Sequence, residues 1–168
     1  MNQRTLGDIR DRKPIFWEND SHVPFKNLKG QLDASVLEIK DAEARLKRFA
    51  PFIKAVFEDT VALDGLIESP ISDIDKFNTA LETTYDFSIP GQMFLKRDDL
   101  LPIAGTIKAR GAIYEVLHHA EALAFEEKLL SGYDDDYSKF ATKTFQDFFK
   151  QYTVVVGTTG NLGISSGV

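Results

Sequence analysis

Apolar positions recur close to the helical period over residues 33–58, where Leu37, Ile39, Ala42, Leu46, Phe49 and Ile53 fall near one face. Asp33 is the expected N-cap. Pro51 is expected to break the run, with a second short helix from Phe52 to Glu58. The remaining positions, Glu38, Lys40, Asp41, Glu43, Arg45, Lys47 and Arg48, predict a solvated face with i,i+4 pairs such as Glu43 with Lys47. Residues 1–32 show no period, because charges, Pro14, Pro24 and Gly30 interrupt it. Phe16, Trp17 and Phe25 are expected to serve packing there.

Turn signals at Asp64-Gly65 and Ser69-Pro70 mark a connection over 59–72. Ser72 with Asp75 reads as a capping box for a helix whose stripe is Ile74, Phe77 and Leu81. After Pro90-Gly91, Gln92 to Lys96 predicts a short strand, and residues 97–102 a loop. A helix is expected from Thr106, with Ile113, Val116, Leu117, Ala120, Leu123 and Ala124 on one face. Residues 131–139 read as a polar loop. Phe140, Phe145, Phe148 and Phe149 predict one or two short helices, with Thr144 and Asp147 as a capping box. Tyr152-Thr153-Val154-Val155-Val156 is a β-branched run of the kind that forms a strand covered on both faces, hence a parallel sheet. It leads through Gly157-Thr158-Thr159-Gly160-Asn161-Leu162-Gly163 into a helix start. Such a strand needs sheet neighbours, and the 168 residues offer one other clear strand, so the chain is expected to be the front of a longer protein.

Composition narrows the function classes. The net charge of -6 and the lack of a basic block argue against nucleic acid as main partner. Cysteine is absent, which removes disulfides, thiol nucleophiles and thiolate metal sites and fits a cytoplasmic setting. No apolar run is long enough to span a membrane, and no signal peptide is visible. His118 and His119 are adjacent and point apart on a helix, and Asp134-Asp135-Asp136 lacks the alternating ligands of a calcium loop, so no metal site is expected.

Two glycine turns carry the chemistry. Gly105-Thr106-Ile107-Lys108-Ala109-Arg110-Gly111 places a lysine at a helix start. The positive end of the helix dipole disfavours the ammonium form there, and a free amine is a nucleophile able to form a Schiff base. The second turn, Gly157 to Gly163, is a strand–turn–helix anion site by type, though neither a dinucleotide fingerprint nor a P-loop. Residues alone leave both readings open: an exposed lysine and a bare turn, or an amine and an anion site facing one crevice.

Together these motifs resemble the pyridoxal-phosphate enzymes of the tryptophan-synthase-β fold type. Within that group the chain is similar to the bacterial D-serine dehydratase family (D-serine ammonia-lyases). Arg45-Leu46-Lys47-Arg48-Phe49-Ala50-Pro51, Ile67-Glu68-Ser69-Pro70, Leu100-Leu101-Pro102-Ile103, Ile113-Tyr114-Glu115-Val116-Leu117 and Asp134-Asp135-Asp136-Tyr137-Ser138-Lys139 make the likeness specific. It implies an α/β fold of that type, incomplete here, with an N-terminal helical extension. Residues 1–90 would form irregular and helical segments, and 91–168 the start of the cofactor-binding catalytic domain.

The resemblance also implies residue roles. Lys108 would hold pyridoxal 5'-phosphate as a Schiff base and transfer the proton. Asn161 would bond the ring 3′-oxygen, and Thr158, Thr159 and Gly160 would bind the substrate carboxylate. The implied reaction is α,β-elimination of D-serine, and of D-threonine as a second substrate, by an enzyme that is monomeric when complete. Arg110 is open between tuning this site and a structural ion pair. The family's phosphate loop and the partner of its ring nitrogen lie beyond the matching part, so this chain alone is expected to be inactive. Thr106 stands where the family usually has serine, and Ile164-Ser165-Ser166 is more polar than its pattern. The alternatives are a threonine or L-serine dehydratase of the same fold type, or a non-catalytic remnant.

Overall fold

The fold is known from a computed structural model that describes residues 3–28, 30–158 and 160–167. It divides into two units, residues 1–39 and 40–168. The first contains α1 (Gln3–Arg10), α2 (Phe25–Leu28) and the first turn of α3 (Val36–Val56). Two helices therefore stand where the sequence suggested irregular chain, and Phe16, Trp17 and Phe25 are exposed rather than packed. The cap of α3 is not Asp33. Ser35 Oγ accepts the Glu38 N–H at 3.2 Å and Glu38 accepts the Ser35 N–H at 2.6 Å, a reciprocal capping box at the start of the helix.

The second unit is built from the rest of α3, β1 (Ile71–Asp73), α4 (Asp75–Tyr85), β2 (Phe94–Lys96), α5 (Lys108–Glu126), α6 (Lys143–Phe149) and α7 (Asn161–Ser166), joined by 3-10 turns at Glu58–Leu63, Asp98–Leu100 and Tyr137–Ala141. The architecture is mixed, mainly helical with few strands. β1 and β2 pair antiparallel with Ile71 opposite Lys96 and Asp73 opposite Phe94. α3 continues through Pro51 instead of breaking. Phe49 and Ile53, one turn apart around the proline, are both almost fully buried, so packing offsets the hydrogen bond that proline cannot make.

The core lies where α3, α5 and the 3-10 turn at Tyr137–Ala141 meet. Phe49 sits edge-on to Tyr137 at 4.9 Å and to Phe140 at 4.7 Å, and Phe140 reaches Phe145 at 4.7 Å. From α5, Ala109, Ile113, Leu117 and Ala124 complete it at i,i+4 and i,i+7 spacing.

Four further expectations are corrected. Arg45 and Arg48 are not on a solvated face: both turn inward onto the buried Glu121 of α5, with Arg45 Nε 2.6 Å from Oε2 and Arg48 Nε 3.0 Å from Oε1. Glu43 and Lys47 do pair on the surface, at 2.7 Å. Ser72 lies in β1 and caps nothing; Asp73 accepts the Asp75 N–H at 2.7 Å instead. Thr144 and Asp147 form no capping box: Thr142 is the N-cap residue of α6, and Asp147 receives Lys143 and Lys150. The run Tyr152 to Val156 forms no ladder. The described residues contain only the β1–β2 sheet, so the run has no strand to pair with.

Candidate active site

α5 begins at Lys108, and the chain reaches it through a constrained loop. Ile103 adopts φ 80°, costly for a β-branched residue. Asp59 holds it there by accepting the Ile103 N–H at 2.6 Å, while the partly buried side chain packs on the core. Gly105 follows at φ 57°, with its N–H on the Leu101 carbonyl at 3.0 Å, and a Cβ there would crowd the Asp99 carbonyl. Two left-handed residues in three turn the chain sharply into the helix.

Lys108 is exposed, and among the described residues its Nζ has no hydrogen-bond or ion-pair partner. That contrasts with its basic neighbours. Arg110 pairs with Glu68 at 3.0 Å, which favours the structural reading of that arginine. Lys96 donates to the Ser69 carbonyl at 2.6 Å and lies 3.9 Å from Glu68. Ser69 in turn donates to Asp98 at 2.6 Å. The loop 67–70 is thereby tied both to β2 and to the first turn of α5.

The second glycine turn comes back onto the first. α7 packs on α5, and Asn161 Nδ2 donates to Thr106 Oγ1 at 3.3 Å across 55 residues of sequence. The same oxygen is 3.4 Å from the Lys108 N–H. One hydroxyl thus joins the carboxamide of one turn to the helix start that carries the amine. Thr158 shapes its own turn: its Oγ1 accepts the N–H groups of Gly160 and Gly163, each at 3.2 Å. Gly163 approaches the Thr158 methyl so closely that any Cβ there would overlap it. Of the expected site residues, Lys108, Asn161, Thr158 and Gly160 lie in the two apposed turns; Thr159 falls outside the described residues.

No protein-family model matches the chain. Among curated proteins, one named probable D-serine dehydratase from Fusobacterium nucleatum is 46% identical over 168 residues, covering 100% of this chain and 38% of the relative. One of the same name from Shouchella clausii is 46% identical over 156 residues, 93% of this chain and 35% of the relative. One from Pseudomonas aeruginosa is 44% identical over 163 residues, 97% of this chain and 36% of the relative. This chain is a homologue of the probable D-serine dehydratases. It spans less than two fifths of the curated relatives it matches, and the matching part is their N-terminal part. No helix among the described residues is long and apolar enough to cross a membrane.

Sequence reasoning missed the groups that position the two turns. Glu68, Asp59 and Thr106 hold Arg110, Ile103 and Asn161 across 42, 44 and 55 positions, and no local pattern marks such pairs. The substitution of threonine for serine at 106 was visible; its link to Asn161 was not.

Proposed function

We propose that this chain carries the reactive lysine and one side of the cofactor and substrate cradle of a pyridoxal-phosphate-dependent D-serine dehydratase with a tryptophan-synthase-β-type fold. The observation that carries the reading is the Thr106 hydroxyl, which joins Asn161 to the start of the helix bearing Lys108, an amine without a partner among the described residues. The residues present fit the group in chemistry. An exposed amine suits an aldehyde, a carboxamide hydrogen-bonded to Thr106, two residues before that lysine, suits a phenolic ring oxygen, and a glycine turn opening a helix suits a carboxylate.

When bound, pyridoxal phosphate supplies an electron sink that makes the α-proton of an amino acid acidic and lets a β-hydroxyl leave. The chain's own residues do the rest. Lys108 would hold the cofactor through its Nζ and, when not bonded to it, would take up the α-proton of the substrate. Asn161 would hydrogen-bond the ring 3′-oxygen, and Thr106 positions Asn161. Thr158, Thr159 and Gly160 take the substrate carboxylate. Thr158 has its lone pairs on two turn amides, so the group it offers is its hydroxyl proton. Overall, D-serine becomes pyruvate and ammonia.

The test is a chimera in which residues 1–168 replace the matching part of the Fusobacterium nucleatum relative. It should release pyruvate from D-serine in preference to L-serine and L-threonine, and Lys108→Ala should reduce the rate to background. Equal turnover of the L-amino acids, or a Lys108→Ala chimera of undiminished rate, contradicts the proposal.

A further inference from the structure

Asp59 is exposed, and among the described residues it pairs with no cation. Its hydrogen bond runs instead to main chain 44 residues away, where it accepts the Ile103 N–H at 2.6 Å. Neighbouring carboxylates are used differently. Asp64 takes Lys54 at 2.7 Å, Asp98 takes the Ser69 hydroxyl and Asp99 takes Arg97. A carboxylate on a backbone donor fixes the path of the chain, whereas an exposed ion pair fixes little.

The turn that carries Asp59 is itself fastened to α3. Thr60 is fully buried, and its hydroxyl donates to the Phe57 carbonyl at 2.7 Å. Gly65 lies so close to the Ala50 carbonyl that a Cβ there would overlap it, and its N–H reaches the Thr60 carbonyl at 3.0 Å. The segment that Asp59 holds is the opposite case, a backbone in a conformation it disfavours. Ile103 is β-branched and left-handed at φ 80°. Glycine would suit that backbone but would lose the side chain that packs against the core. Three residues on stands Thr106, whose hydroxyl accepts from Asn161 and lies 3.4 Å from the Lys108 N–H. Relaxation of Ile103 to a right-handed φ would redirect the chain just before that hydroxyl. The Asn161 bond, at 3.3 Å, has little length to spare.

We propose that Asp59 is a positioning residue for the candidate site. By holding Ile103 left-handed it sets where Thr106 meets Asn161 and where Lys108 begins α5. It acts through the backbone at 103 and takes no part in the chemistry. Its bearing on catalysis rests on the Schiff-base reading of Lys108; its hold on the turn does not.

The first measurements use this chain as it is. Asp59→Ala should speed hydrogen exchange at the Gly105 and Ala109 amides by about tenfold or more and leave the amides of α6 unchanged. It should also move the Asn161 carboxamide resonance toward the position that resonance takes in Thr106→Ala, where its acceptor is gone. Asp59→Asn keeps an acceptor oxygen at the same reach and should restore most of the protection. In an Ile103→Gly background Asp59→Ala should speed exchange by no more than about threefold, because glycine adopts the left-handed conformation unaided. Lys54→Ala, which breaks the ion pair beside the same turn, should behave as the parent. In the chimera, Asp59→Ala should weaken pyridoxal phosphate binding by about tenfold, read by titration, and Asp59→Asn should recover it. Unchanged exchange at 105 and 109, exchange raised equally throughout the chain, an unmoved Asn161 resonance, or a cofactor affinity indifferent to a loosened turn overturns the inference. A parent chimera that binds no cofactor contradicts the Schiff-base reading instead, and the exchange and resonance measurements still decide whether Asp59 positions the turn.

Discussion

Glu121 shows how much one side chain can organise in this protein. It is 3% exposed and receives Arg45, Arg48 and the Tyr137 hydroxyl, the last at 2.7 Å. Burial alone would raise its carboxyl above the ordinary 4.5; hydrogen bonds from Tyr137, Arg45 and Arg48 outweigh burial and hold it lower. Burial would likewise lower Arg45, yet Glu121 raises it, while burial and Glu121 both push the Tyr137 phenol up. A depressed carboxylate contributes stability that is full above its unfolded value and is lost as pH falls through the folded value. Denaturation measured between about pH 7 and 3 should therefore show a loss of stability in the parent that is smaller in Glu121→Gln. At neutral pH that variant should cost roughly 3 kcal/mol, because two guanidinium groups lose their counter-charge. An unchanged acid profile contradicts this assignment.

At the same scale, Thr106 can be separated from its neighbours. Thr106→Ala removes the acceptor that Asn161 and the Lys108 N–H share, whereas Thr106→Ser keeps it. In the chimera, alanine should weaken cofactor binding by about tenfold and serine should restore it, read by cofactor titration rather than by rate. If both variants bind alike, the hydroxyl does not join the turns.

Among the elements, the second glycine turn is tightly constrained. The Thr158 hydroxyl holds two amides, so its methyl cannot swing away from Gly163 without breaking them. Gly163→Ala should destabilise by roughly 1–3 kcal/mol, and adding Thr158→Ser, which deletes the methyl and keeps the hydroxyl, should recover most of that loss in a double-mutant cycle. α7 also buries Ser165, whose Oγ has no hydrogen-bond partner among the described residues. Its setting is a cavity of about 150 Å³ lined by Phe52, Val56, Phe57, Ile113 and Leu117. Ser165→Ala should raise stability by about 1 kcal/mol in thermal unfolding.

The elements also separate what a sequence reveals from what it does not. α5 was legible because its stripe repeats every turn, and the loop at 131–139 because its aspartates serve the turn: Asp135 accepts from Ser131 and Lys139, and Asp136 from the Ser138 N–H. Both depend on neighbours. The inward turn of Arg45 and Arg48 was not legible, since their partner lies 76 and 73 residues away. The strand expected at 152–156 depends wholly on pairing, which β-branched composition can suggest and only another strand can supply. The candidate site divides the same way. Each turn announced itself through glycine spacing, while the Thr106 contact between them is a tertiary fact.

For the whole molecule, the relation between this chain and its relatives sets what can be asked of it. The similarity is 44–46% and spans nearly all of the chain but little more than a third of each relative. The described residues build a helical core around Phe49, Tyr137 and Phe140, present an unpaired lysine on a constrained helix start, and leave an open β-branched run beside it. The proposed site rests on the first two of those features and on the contact between its two turns. The most direct measurement is borohydride reduction of the chimera in the presence of pyridoxal phosphate, followed by peptide mapping of the lysines. The expected result is a pyridoxyl label concentrated on Lys108. A label on another lysine, or one spread over exposed lysines with Lys108 no more modified than the rest, contradicts the central claim.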